Sequence, residues 1–189
     1  MQMSEQYHQV ELTFGMWPGY FSHDAASRPY FRNATWYNRD RPIFQRYVPV
    51  LQEINRAGWQ PVTGASVHPA DTAALCCVRV ERFGPSADAP DFVFFTVRNE
   101  GRTDLAKAMV LSVEGNVLPG LQTGRHTVTE LTRRRGTSVQ VSTTPAPGGG
   151  VLLPLALNDG DGALGNVAIN VTLVIKVDLR AAGENPIIV

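Results

Sequence analysis

After about position 60, the chain is a series of short apolar runs broken by turn-forming residues, and this pattern limits the folds that it can adopt. Several runs alternate apolar and polar residues, most clearly residues 167–177, as strands with one buried face do. Turn sequences such as those at 99–101 and 158–160 separate them. The pattern predicts an antiparallel β-sandwich over residues 61–189. Its strands are expected at residues 74–83, 92–99, 106–114, 127–133, 138–142, 151–157 and 167–179.

The strongest helical pattern lies earlier in the chain, at residues 40–57. Asp40 is the expected N-cap, Gly58 the expected C-terminal stop, and Pro49 is predicted to kink the helix. The apolar side chains that recur on one predicted face are Ile43, Phe44, Tyr47, Val48, Leu51 and Ile54.

The residues before this helix are predicted to form one short strand and one long loop. Residues 10–14 alternate apolar and polar side chains, which predicts a strand. Glycine and proline then break the pattern, so residues 17–33 are predicted to form the loop. Residues 1–60 therefore form a strand–loop–helix segment, too small to enclose its own core, in front of the sandwich.

Composition excludes several classes of partner. The 17 basic and 17 acidic residues give a net charge of zero, which argues against nucleic acid, because phosphate binding needs a basic excess. No apolar stretch approaches the ~20 residues that span a bilayer, and no basic and apolar leader opens the sequence, so we expect a soluble chain with no membrane partner. A net charge near zero also makes self-association easier.

No metal, cofactor or redox motif stands out. The two cysteines, Cys76 and Cys77, are adjacent, a spacing that strains a disulfide, so both are expected to be thiols. His8, His68 and His126 are isolated and lack the spacing of metal ligands. The glycine-rich residues 144–150 lack the order of a phosphate loop. We therefore predict no metal and no cofactor.

No catalytic residue can be assigned from the sequence. His23 and Asp24 are the one histidine–carboxylate pair in the long loop, but no serine or cysteine nucleophile signature accompanies them. Sugar hydrolysis generally needs two carboxylates that flank the scissile bond. The acidic residues in the first segment form no convincing pair: Glu11 in the predicted strand, Asp24 in the loop, Asp40 at the cap and Glu53 on the solvent face. Three arginines at 133–135 are interpreted as a solvated hairpin end.

The long loop belongs to a concentration of aromatic residues that favours a binding surface. Twelve of the sixteen aromatic residues, including every tryptophan and tyrosine, lie between Tyr7 and Trp59. Aromatic faces stack on the apolar faces of sugar rings, so the loop has the composition of a carbohydrate platform. Its candidate substrate-binding residues are Trp17, Tyr20, Phe21, His23 and Asp24. The alternative is that these side chains pack under the helix or against another chain.

Three motifs resemble the end of a glycoside-hydrolase-like catalytic barrel, where a last strand, its loop and a final helix lead into a C-terminal β-sandwich. The motifs are FGMWPGYFSH at 14–23, NRDRPIF at 38–44 and AGWQPV at 57–62. VERFG at 80–84 and FTVRNEG at 95–101 are similar to the opening strands of that sandwich.

The resemblance implies a role at a sugar site without catalysis. Loops that follow barrel strands face the catalytic side, so residues 17–24 would lie at the sugar-facing rim. The earlier strands, which supply the acid/base and the nucleophile, are absent from the chain. The resemblance thus implies a noncatalytic C-terminal portion of a glycoside-hydrolase-like protein, inactive in isolation, whose residues 10–59 contact a missing barrel portion or self-associate.

Three other interpretations stay open. A stand-alone carbohydrate-binding β-sandwich would hold a glycan through Trp17, Tyr20 and Phe21. A structural or assembly domain would dock a partner chain through residues 10–59. A complete small enzyme is the least favoured of the three.

Overall fold

The computed structural model describes residues 3–19, 30–69, 77–102, 109–132, 137–155 and 170–180, which form a mainly β structure with two helices. The helices are α1 (Met3–Phe14) and α2 (Ala34–Ala57), and a single 3-10 turn covers Tyr30–Arg32. The eight strands are β1 (Ala65–Pro69), β2 (Val78–Phe83), β3 (Phe92–Asn99), β4 (Met109–Val113), β5 (Gly124–Glu130), β6 (Thr137–Pro145), β7 (Val151–Pro154) and β8 (Thr172–Asp178).

All eight strands belong to one antiparallel sheet that is nearly closed. The strand order is β1-β4-β7-β6-β5-β8-β3-β2, so β1 and β2 are the edge strands, and they lie in contact with each other. Strand β6 is the longest and joins the two halves, because it pairs with β5 from Gly124↔Thr143 to Glu130↔Thr137 and with β7 through Thr144 and Pro145. The predicted antiparallel, mainly β class is confirmed, and each predicted run overlaps an observed strand.

The strands bury side chains on both faces of the sheet, which produces two cores. On β3, Val93, Phe95 and Val97 point into the core enclosed by the sheet, while Phe94 points outward toward the helices. The enclosed core is aliphatic apart from Phe95, as expected where strands alternate between an inner and an outer face. Strand β3 is therefore the central wall between the two cores.

The outer core attaches both helices to the sheet. Its sheet side includes Phe83, Phe94, Leu131 and Val174, and its helix side includes Leu12 of α1. The α2 residues that complete it are Tyr47, Val50, Leu51, Ile54 and Ala57. Three residues of the predicted apolar face, Tyr47, Leu51 and Ile54, thus pack against the sheet, while Phe44 and Val48 lie outside this core. The helices and the sheet share one core.

A buried arginine links β2 to the segment that leads into β1. The Arg82 guanidinium is 6% exposed, and its Nε donates to the Thr63 carbonyl at 3.1 Å and its Nη2 to the Val62 carbonyl at 2.8 Å. Its Nη1 donates to the Gly84 carbonyl at 3.0 Å. Burial lowers the pKa of Arg82 below its ordinary value. The charged group is stabilised by these carbonyls and connects the two edges of the sheet.

Two predictions about the first segment are wrong. Residues 10–14 are not a strand but the last part of α1. Helix α2 begins at Ala34 rather than Asp40, and its N-cap is Asn33, whose Oδ1 accepts hydrogen bonds from the Thr35 and Trp36 amides at 3.1 and 3.3 Å. Asp40 is buried inside the helix and caps nothing.

Other predictions about the first segment have different outcomes. The stop at Gly58 is confirmed, because its φ is +78° and its amide donates to the Ile54 carbonyl at 3.1 Å. Pro49 lies inside α2 together with Pro42, and the kink stays a prediction.

Two predictions for the rest of the chain fall on residues 133–136 and on Cys76, which lie outside the described residues. Within the described ranges, neither helix combines the length and the apolar character that crossing a bilayer requires.

Candidate functional site

Of the five candidate sugar-binding residues, the structure describes Trp17. Its side chain is 53% exposed, in the segment that follows α1. Tyr20, Phe21, His23 and Asp24 lie outside the described residues. The role of the five residues in sugar binding stays a prediction.

The position of Trp17 depends on Gly15, where the chain leaves α1. Gly15 has a φ of +64°, which favours glycine, and a Cβ built there would lie 2.6 Å from Phe83 Cε1. Its carbonyl accepts a hydrogen bond from Asn55 Nδ2 of α2 at 2.9 Å. The chain is therefore held against both β2 and α2 two residues before Trp17.

Large apolar side chains are exposed along the edge strand β2. Phe14 contacts the Arg79 guanidinium of β2, which lies 5.5 Å from the centre of its ring. Trp59, which forms a β-bridge with Phe83, donates from Nε1 to Glu81 of the same strand at 3.1 Å. We call the following set the edge-strand rim: Phe14, Met16, Trp17, Trp59 and Val62. The set contains two exposed indoles, and that of Trp59 is hydrogen-bonded to a charged side chain of β2.

A second group of aromatic side chains covers the N-terminal half of α2. Phe31 is 62% exposed, and the centre of its ring lies 5.2 Å from that of Tyr30, 5.9 Å from Tyr37 and 6.1 Å from Phe44. Edge-to-face and tilted contacts of this kind are favourable aromatic geometries. This aromatic cluster accounts for several of the aromatic residues concentrated in the first segment.

Helix α1 carries a buried histidine–carboxylate pair that the sequence did not reveal. His8 Nδ1 lies 2.7 Å from Glu11 Oε2, and Glu11 is 1% exposed. Within the described residues, neither carboxylate oxygen of Glu11 has a hydrogen bond of good geometry. The imidazole stacks on Tyr47 of α2, with ring centres 5.6 Å apart. The pair is shielded from solvent between the two helices.

A network of buried hydrogen bonds fixes α1 to the sheet. Gln9 Nε2 donates to Tyr47 Oη at 2.8 Å, and Gln9 Oε1 accepts from the Thr172 amide at 2.7 Å. Thr172 Oγ1 donates to the Gln9 carbonyl at 2.6 Å, and Thr96 Oγ1 donates to the Thr13 carbonyl at 2.8 Å. Burial raises the pKa of Tyr47, so its hydroxyl stays protonated. The network specifies how α1 lies on β3 and β8.

Asp40 is the centre of a second buried polar contact. Tyr30 Oη donates to Asp40 Oδ2 at 2.6 Å, and Arg39 donates to both carboxylate oxygens at 2.7 Å. The hydrogen bonds from Arg39 hold the pKa of Asp40 below its ordinary value of 3.8, although burial opposes this shift, and Tyr30 adds to it. Asp40 thus connects the 3-10 turn to α2.

The lowered pKa makes a prediction for the pH dependence of stability. The Asp40→Asn variant is expected to lose about 1–2 kcal/mol of unfolding free energy at pH 7, since it weakens hydrogen bonds to a charged acceptor. Because the pKa is lowered by folding, this stabilisation is present above the ordinary value of 3.8 and is lost as the pH falls through the lower value of the folded state. Urea unfolding of both proteins from pH 7 to pH 2 should show the difference shrinking below about pH 4. A difference that stays constant with pH would contradict this role.

These polar groups are structural in character. Glu11 and Asp40 are buried, and they are committed to His8 and to Tyr30 and Arg39 respectively. A carboxylate must reach the reacting bond to act as an acid, a base or a nucleophile. Among the described residues, no group of three or more His, Cys, Asp and Glu side chains could hold a metal ion. We assign no catalytic role to the described residues.

Two of the surface cavities are lined by described residues. The larger, about 540 Å³, is lined by Gly120, residues 122–126 and Leu179. His126 lies there, but its two ring nitrogens lie 2.8 Å from the Gln122 carbonyl and 3.1 Å from the Asp178 carbonyl, so both are engaged by the main chain. The smaller cavity, about 250 Å³, lies on the outer face of the sheet beside α2.

No family model, curated protein or solved structure was found to match this chain. The resemblance to glycoside hydrolases consequently stays a prediction that depends on residues 14–23, 38–44 and 57–62 of the chain itself.

Proposed function

We propose that the chain is a noncatalytic portion of a glycoside-hydrolase-like protein, whose C-terminal β-sandwich braces a catalytic barrel and whose aromatic segment faces the sugar. The observation that carries this proposal is the edge-strand rim, where Trp17 and Trp59 are exposed to 53% and 54% on a rigid support. One rim residue, Trp17, belongs to residues 17–24, where the resemblance places the sugar-facing loop. Since residues 10–14 are helical, the proposal uses the position of that segment and not a strand within it.

Two further observations agree with a segment that braces a neighbouring domain and contacts a ligand. The helices share a core with the sheet and are joined to it by the hydrogen bonds of Gln9, Thr96 and Thr172, as expected of a segment that must hold a fixed orientation. Two carboxylates of the helices, Glu11 and Asp40, lie in buried contacts with neighbouring side chains. Trp17, by contrast, directs a large aromatic surface to solvent.

Trp17 provides the direct test of sugar contact. Tryptophan fluorescence of the chain is expected to shift when oligosaccharides are added, and Trp17→Ala should abolish the shift, because the indole that stacks on the sugar is gone. Trp36→Ala is the control, since it removes the remaining indole, which belongs to α2 and not to the edge-strand rim. The control should keep at least part of the shift.

The same titration separates this proposal from a second candidate, the docking of a partner chain through residues 10–59. The aromatic cluster favours docking, because Phe31 exposes 62% of its surface beside other aromatic rings. A docking surface predicts no fluorescence response across the glycan panel, together with concentration-dependent association in sedimentation that Phe31→Ala weakens. That combination of results would replace the sugar-facing role with docking.

A further inference from the structure

The smaller cavity is a groove on the outer face of the sheet, away from the edge-strand rim. Four strands and α2 contribute to it, and its volume is about 250 Å³. The lining residues that matter here are Glu53 of α2, Phe92 of β3, Thr129 of β5, Ser138 of β6, and Lys176 and Asp178 of β8. None of the five rim residues lines it.

The floor of the groove is a ladder of hydrogen-bonded polar side chains. Thr129 and Ser138 are opposite each other in the β5–β6 pair, and their hydroxyl oxygens lie 2.7 Å apart. Thr127 and Gln140 form the next outward-facing pair, in which Gln140 Nε2 donates to Thr127 Oγ1 at 2.7 Å. Each hydroxyl in these contacts keeps further donor or acceptor capacity. The ladder therefore presents hydrogen-bonding groups in a fixed order.

The walls of the groove are charged side chains that neighbouring groups hold in place. Lys176 Nζ lies 3.1 Å from Glu53 Oε2 and 4.2 Å from the centre of the Phe92 ring. Asp178 Oδ1 accepts from Arg180 Nε at 2.9 Å. Burial acts to raise the pKa of Asp178, but the hydrogen bonds from Arg180 outweigh it and lower that pKa, so the carboxylate is ionised at neutral pH.

We propose that this groove is a binding site for a neutral saccharide, with room for about one sugar ring. Each acidic side chain of the groove is paired with a basic one: Glu53 with Lys176, which also lines the groove, and Asp178 with Arg180, which lies outside the lining. Both carboxylates are thus neutralised, which favours an uncharged ligand over an ionic one. Alternating donors and acceptors match the hydroxyl groups of a sugar, and the edge of Phe92 and Leu131 provide apolar surface. Because the side chains are already hydrogen-bonded in place, little conformational freedom is lost on binding. This site is independent of the proposed function and does not require Trp17.

The test is an amide NMR titration of the whole chain with methyl glycosides of glucose, galactose, mannose, xylose and N-acetylglucosamine. At least one sugar should shift the amide signals of Thr127, Thr129 and Ser138, with a dissociation constant on the order of 1 mM. The double variant Thr129→Val with Ser138→Ala should weaken that binding about tenfold, because it removes the central hydroxyl pair. Ser142→Ala is the matched control, since Ser142 is exposed on the same strand but does not line the groove, and it should leave the affinity unchanged.

Several outcomes would overturn the groove site. They are the absence of shifts in the groove with every glycoside, shifts confined to the edge-strand rim, and unchanged affinity in the double variant. Trp17→Ala separates the two sugar sites, because it should leave the groove titration unaltered. If tryptophan fluorescence does not change with oligosaccharide while the groove amides still shift, the proposed role of the rim is rejected and the groove site is retained. The shift map of the unmodified chain decides the question even if the double variant fails to fold.

Discussion

The Phe83→Ala variant is expected to lose about 3–5 kcal/mol of unfolding free energy, the cost of removing a large aromatic side chain from a packed interior. Phe83 is 1% exposed in the outer core, and it lies against Gly15, where the chain leaves α1. The substitution opens a cavity beneath the contacts that orient Trp17 and Trp59. Urea unfolding monitored by circular dichroism measures the loss.

Phe31→Ala is the matched control for this experiment. Phe31 is 62% exposed, so its removal leaves no buried cavity and should cost less than about 1 kcal/mol. The contacts of Phe83 indicate that the outer core depends on it. Equal losses of unfolding free energy in the Phe83→Ala and Phe31→Ala variants would contradict this.

The second large effect is expected at Arg82. Arg82→Met keeps much of the aliphatic length but removes every N–H donor, which leaves the carbonyls of Val62, Thr63 and Gly84 without their partner. Buried polar groups that lose their partners cost free energy, and we expect a loss of about 3 kcal/mol. Thermal or urea unfolding should show this loss at neutral pH.

Arg79→Met provides the comparison on the same strand. Arg79 is 45% exposed and lies 3.3 Å from the half-exposed Glu100, an exposed ion pair of the kind that contributes little. The Arg79→Met variant should therefore change the unfolding free energy by less than about 1 kcal/mol. A loss at Arg82 no larger than that at Arg79 would contradict the role of Arg82 in joining the edges of the sheet.

Much of the sheet could be predicted because its physical causes are local. Residues 92–99 and 172–178 are buried at nearly every position, and they stand out in the sequence as short runs rich in β-branched or aromatic residues. The C-terminal end of α2 was also predictable, because Gly58 supplies the positive φ that ends the helix. Strand β1 was missed, since Ala65–Pro69 contains one buried apolar residue, Val67, and ends in proline.

The first helix could not be predicted because its buried face is largely polar. His8, Gln9, Glu11 and Thr13 are buried on α1 through contacts with α2, β3 and β8, while Phe14 is exposed. A periodic search for apolar residues assigns such side chains to solvent, so residues 10–14 resembled a strand. Asp40 was misread for a similar reason, since its partner Tyr30 lies ten residues away and outside any helical repeat.

The aromatic concentration had more than one physical origin. Tyr47 is a core residue, Phe31 belongs to the aromatic cluster, and Trp17 and Trp59 lie on the edge-strand rim. Composition alone could not tell buried aromatic residues from exposed ones, because packing against the sheet decides which aromatic rings are covered. The exposure of Trp17 agrees with its selection as a candidate ligand contact.

The central claim is that the chain contacts a sugar through Trp17 without cleaving it. An NMR titration with an oligosaccharide panel, which follows the indole N–H signals of the protein and the anomeric signals of the sugar, measures both properties at once. The account predicts that at least one oligosaccharide shifts the Trp17 indole signal while its anomeric signals persist unchanged. An unshifted Trp17 signal across the panel, or the appearance of new reducing-end signals, would contradict it.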